Sequence, residues 1–84
     1  MSEITVHFFA RLREELGVAQ ISFPISGALI VSDLIGQIVA AHTDWQAALN
    51  DPDVLIAVNQ TMVGHDHRIQ PGDEVAFLPP VTGG

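Results

Sequence analysis

Among these 84 residues, one segment has both the period and the length of a substantial helix, and this limits the fold more than any other feature. Val31, Leu34, Ile35, Ile38, Val39 and His42 recur at helical spacing, with Ser32, Asp33, Gly36 and Gln37 on the opposite face. The runs around it alternate with a period of two. Ile4, Val6 and Phe8 form the first, Ile21, Phe23 and Ile25 the second, and Glu74 to Leu78 the last. The β-branched stretch Val54 to Asn59 reads as another strand, turning at Asn59-Gln60 into a short strand near Met62-Val63. One long helix covers one face of a sheet. The expected fold is therefore an α+β domain over residues 1–78, a mixed sheet of about five strands with the helix on one side.

Punctuation refines the plan. Arg11 to Leu16 reads as a short helical connection stopped by Gly17. Pro24 removes a ladder donor and predicts an edge strand, so the first two strands pair as a hairpin. Ser26-Gly27 is a turn before the main helix, whose start is capped by Ser32 or an earlier residue, with Asp33 suiting the helix dipole. Gly36 inside that helix costs about 1 kcal/mol relative to alanine, which suggests close packing against the sheet. Thr43 to Asn50 suits one or two helical turns around Trp45, Ala48 and Leu49, capped by Thr43 or Asp44, and Asp51-Pro52-Asp53 ends them. Gly64 to Gln70 reads as polar loop, and Pro71-Gly72-Asp73 as a turn.

Strand parity then predicts an exposed patch. If Ile4, Val6 and Phe8 face the helix, Phe9 points away from it. The same argument turns Leu55, Ala57, Ala76 and Leu78 outward, joined by Met62. Monomers rarely leave such a face bare, so a partner is expected on it. Directly after Leu78 come Pro79, Pro80, Val81, Thr82, Gly83 and Gly84. The prolines stop the last strand, and the glycines place no Cβ beside the final carboxylate. Six extended residues span roughly 20 Å, enough to carry that carboxylate into a protein docked on the patch.

Composition removes other functions. With no cysteine there is no disulfide framework, thiolate metal site or cysteine nucleophile. Ten acidic residues against three arginines give a net charge of −7, which repels nucleic acid and anionic membrane and favours a basic protein partner. The absence of lysine disfavours a self-polymerising modifier. His65 and His67 share a spacing of two but have no evident third ligand, so no metal site is expected, and His42 reads as a packed residue. No apolar run exceeds five residues, far too short to span a bilayer, and the first ten residues lack a signal-peptide pattern, so a cytoplasmic protein is expected.

Several motifs carry a resemblance over nearly the whole chain. Phe8-Phe9-Ala10-Arg11-Leu12-Arg13-Glu14, Ala57-Val58-Asn59-Gln60-Thr61, Gly72 to Pro80 and Val81-Thr82-Gly83-Gly84 resemble the small subunit of molybdopterin synthase, a ubiquitin-like sulfur carrier. From Ala28 to Asp53 the likeness is one of pattern more than of residues. The resemblance implies a β-grasp fold and a role as sulfur carrier without a permanently bound cofactor. It implies that a ubiquitin-activating-like adenylyltransferase uses ATP to adenylate the Gly84 carboxylate, that a sulfur donor protein converts it to a thiocarboxylate, and that Gly83 keeps its approach open. It further implies that Val81, Thr82 and the two prolines lead this tail into the large subunit of a heterotetrameric synthase. There the sulfur builds the dithiolene of molybdopterin from a cyclic pterin phosphate, with acid–base catalysis supplied by the partner. Phe9, Met62 and Leu78 would contact that partner. A carrier for thiazole or tRNA thiolation, or a plain interaction domain with an inert tail, are the alternatives.

Overall fold

The computed structural model describes residues 2–79. The elements are β1 (Ser2–Phe8), α1 (Ala10–Leu16), β2 (Gln20–Ile25), β3 (Leu29–Ile30), α2 (Val31–Ala41), a 3₁₀ turn (Thr43–Trp45), α3 (Gln46–Leu49), β4 (Leu55–Val58), β5 (Thr61–Val63), β6 (Arg68–Ile69) and β7 (Glu74–Leu78). Five strands form one mixed sheet in the order β2-β1-β7-β4-β5, and β3 pairs with β6 in a separate two-stranded ladder. β1 and β7 are parallel neighbours at the centre, with Thr5 opposite Glu74 and Phe8 opposite Phe77. The other main-sheet pairs are antiparallel, and β2 is an edge strand, as Pro24 requires. β1 and β2 pair as expected, though α1 intervenes between them.

The core lies between the sheet and α2. Ile4, Val6 and Phe8 of β1, Val75 and Phe77 of β7, and Ile56 and Val58 of β4 meet Val31, Leu34, Ile35 and Ile38 of α2 in one buried cluster. Burying a side chain of that size contributes about 1.5–3 kcal/mol, so the helical stripe alone goes far toward fixing α2 on the sheet. Phe8 and Phe77 stack at 5.9 Å, and Trp45 meets Phe8 edge-on at 5.4 Å. That contact puts the 3₁₀ turn and α3 on the same side as α2. His42, half-buried at the end of α2, lies flat on Trp45 with ring centroids 3.9 Å apart, a packed residue as its position implies.

Four local expectations are corrected. Residues 64–70 are not all loop: β6 lies among them, and Ile69 is fully buried. The apolar residue points into the core while its polar neighbours face water, which hid the strand. The first residue before α2 is Ile30, and no side chain caps the helix. Instead the carbonyls of His67 and His65 accept the N–H groups of Val31 and Ser32, each at 3.0 Å. The 3₁₀ turn likewise follows His42 with no side-chain cap from Thr43 or Asp44. Gly36 does not touch the sheet; it is exposed, and a Cβ there would meet nothing within 4 Å.

Candidate functional site

On the sheet face away from α2, one cross-strand row runs His7, Ala76, Ala57, Met62, each opposite the next. The two alanines occupy the central strands and the larger side chains stand on either side of them. Small residues between large ones make a concavity, here a groove of about 400 Å³. Ala57 and Ala76 are its floor, and His7 with Phe9 and Met62 are its sides. Leu78 stands at one end, Gln60 and Glu74 at the other. Phe9 is 45% exposed and Met62 55%, high values for such large apolar groups. Leu55, opposite Leu78, extends the apolar surface at 39%.

Parity thus places Phe9, Met62 and Leu78 as expected and brings them together on one groove. It errs in one particular: Ala57 faces outward but is only 7% exposed, since its neighbours overhang it. His7, Gln60 and Glu74 were missed as groove residues. The signal was available, because His7 shares parity with Phe9, and Glu74 with Ala76 and Leu78. His7 also lies against the Phe9 ring at 6.2 Å.

The polar end is held rigidly. Asn59 and Gln60 form the β4–β5 turn with φ of 50° and 72°, a conformation that asparagine tolerates better than most residues. The Asn59 side chain donates to Asp73 Oδ1 at 3.1 Å and accepts the N–H of Glu74 at 3.0 Å. Asp73 Oδ2 accepts the Gln70 N–H at 2.9 Å. These bonds tie the β4–β5 turn to the start of β7, so Gln60 and Glu74 stand at fixed positions on the rim.

At the other end, the Phe9 N–H donates to the Phe77 carbonyl at 3.2 Å, which sets α1 beside the end of β7. Pro79 follows, half-buried, where the last strand stops. The remaining sequence-predicted site residues, Pro80, Val81, Thr82, Gly83 and Gly84, lie outside the described residues. Among the described residues no three His, Cys, Asp or Glu side chains converge to hold a metal ion. His65 and His67 are exposed and engage the fold through their carbonyls. The folded body offers an apolar groove that ends at Leu78, next to Pro79.

Known proteins resemble this chain over nearly its whole length. The ThiS family pattern matches residues 6–84. The molybdopterin synthase sulfur carrier subunit of Escherichia coli is 45% identical over 82 residues, covering 96% of this chain and 99% of that protein. Among solved structures, SAMP1 from Haloferax volcanii superposes with a TM-score of 0.83 at 25% identity, covering 98% of this chain and 99% of that one. A putative molybdopterin converting factor subunit 1 from Pyrococcus furiosus gives a TM-score of 0.79 at 32% identity, covering 96% and 100%.

Proposed function

The chain belongs to the ThiS family, among its molybdopterin synthase sulfur carrier subunits, and from that premise we propose how its parts carry sulfur. The observation that carries the reading is the apolar groove ending at Leu78, one residue before the tail begins. A large synthase subunit seated on Phe9, Met62 and Leu78 receives Pro79 to Gly84 at once, because docking surface and arm are continuous. Prolines at the root lower the cost of ordering the arm, which otherwise runs about 1–2 kcal/mol per backbone residue.

The reactive group is the Gly84 carboxylate. An adenylyltransferase joins it to AMP from ATP, releasing pyrophosphate, and the mixed anhydride supplies a good leaving group. A persulfide on a sulfur donor protein then displaces AMP to form an acyl disulfide, and a second thiol cleaves its S–S bond, which releases the Gly84 thiocarboxylate and leaves the donor thiols joined as a disulfide. With no cysteine and only thioether sulfur in its two methionines, the chain has no other place for transferable sulfur. Neither Gly83 nor Gly84 has a side chain to block approach to that carbon. The carrier works in the cytoplasm with no cofactor of its own. Sulfur passes to the pterin precursor bound by the large subunit, which supplies the acid–base groups.

Mass spectrometry of the C-terminal peptide tests the reading. After incubation with ATP, an activating enzyme and a sulfur donor, a fraction of the peptide should have one oxygen replaced by sulfur. A peptide that stays unmodified under conditions that load the Escherichia coli carrier would refute it. Deleting Gly84 should abolish loading and leave the thermal transition of the domain unchanged.

A further inference from the structure

The three Lys or Arg side chains of this chain are all arginines, and their placement bears on the chemistry proposed above, on which this inference rests. Arg11 and Arg13 lie in the first turns of α1, which starts two residues after Phe8, the partner of Phe77. They stand at the end of the sheet where the tail is rooted, within the roughly 20 Å that six extended residues reach. Both are exposed, and Arg11 Nε pairs with Glu15 Oε1 at 3.3 Å. Arg68, on β6, belongs to the opposite end. The Gly72 N–H, four residues on, donates to the Glu3 carbonyl near the start of β1, and Gly72 precedes Leu78 by six strand-like residues, roughly 20 Å.

An activated acyl group hunts for amines. A lysine amine attacking the Gly84 carbonyl of the mixed anhydride would form a C–N amide bond and expel AMP, with the ammonium proton passing to water. The product is a closed loop that can no longer accept or donate sulfur. Hydroxyls and imidazoles yield esters or acyl-imidazoles that water reverses, whereas the amide is permanent. Tethering makes the attack intramolecular, with effective concentrations far above those of free amines. A guanidinium keeps its proton throughout the accessible pH range and offers no lone pair.

We propose that confining its cations to arginine protects this carrier from self-acylation. Arg11 and Arg13 keep positive charge beside the root of the tail without placing an amine within reach of the activated Gly84. The protection is positional: a lysine at α1 would capture the terminus, and one at Arg68 would not.

The test installs activation chemically, so that it does not depend on any adenylating partner. The full chain is made as a C-terminal thioester by intein cleavage, and intact mass is followed at mildly alkaline pH for the wild type and for Arg11→Lys, Arg13→Lys and Arg68→Lys. Each variant keeps the charge at an exposed site, and circular dichroism verifies the fold. Wild type and Arg68→Lys should decay to the free acid alone. Arg11→Lys and Arg13→Lys should lose thioester about tenfold faster or more, independently of protein concentration. Their product should be one water lighter than the acid, with Gly84 cross-linked to the substituted position. Decay of both α1 variants at the wild-type rate without that product would overturn the proposal, as would equal capture in Arg68→Lys. Absence of a thiocarboxylate in the loading assay would instead strike at the carrier function, so the two failures are separable.

Discussion

Gly17 and Gly36 occupy opposite situations that the sequence presents alike. Gly17 ends α1 with φ of 79°, where any Cβ is strained, and its N–H closes the helix onto the Arg13 carbonyl at 2.9 Å. Gly36 has ordinary helical geometry with open space around it, and nothing in the structure explains why glycine stands there. Gly36→Ala should therefore stabilise the domain by about 0.5–1 kcal/mol, and Gly17→Ala should destabilise it by about 1 kcal/mol, both read as shifts in the urea midpoint. Asn59 is a third informative residue. Asn59→Ala removes two side-chain hydrogen bonds and a side chain suited to positive φ, so a loss of about 1–2 kcal/mol is expected in the same assay. The turn at Asn59 was legible because asparagine there has a mechanical reason. The bonds to Asp73 and Glu74 were not, since they join residues fourteen and fifteen positions apart.

At the scale of elements, what the sequence revealed follows from periodicity. α2 and the alternating strands have enough apolar residues in register to announce themselves, and parity on β1 and β7 was sufficient to place Phe9 and Leu78 on the sheet face away from α2. The β3–β6 ladder was invisible because two-residue strands have no period. It nonetheless holds Ile69 in the core and positions the two histidine carbonyls over the start of α2. Ile69→Ala should cost about 2–4 kcal/mol in chemical denaturation, a core-sized loss from a stretch that reads as loop. Amide exchange at Val31 and Ser32 should quicken in the same variant, because their acceptors are carried by the segment that Ile69 anchors.

For the molecule as a whole, the fold divides labour between two faces. One carries the aromatic and aliphatic core under α2; the other exposes an apolar groove with its smallest residues at the centre. Met62→Glu should weaken binding of the large synthase subunit at least tenfold in calorimetry while leaving the melting temperature within about 2 °C, since Met62 touches water and not the core. With a net charge of −7, the association rate should also fall steeply as salt rises, whereas dissociation should change little.

The parallel pairing of β1 with β7 has a mechanical consequence. The tail issues from a strand clamped on both sides, by β1 and by β4. A pull on the C-terminus against the N-terminal strand runs along these ladders, and their hydrogen bonds, lying across the strands, must yield together instead of one after another. Force is thus taken up in shear. A pull on the C-terminal end of β7 therefore loads the strongest direction of the domain, and unfolding under such a load should need a higher force than a pull that opens the ladders one bond at a time.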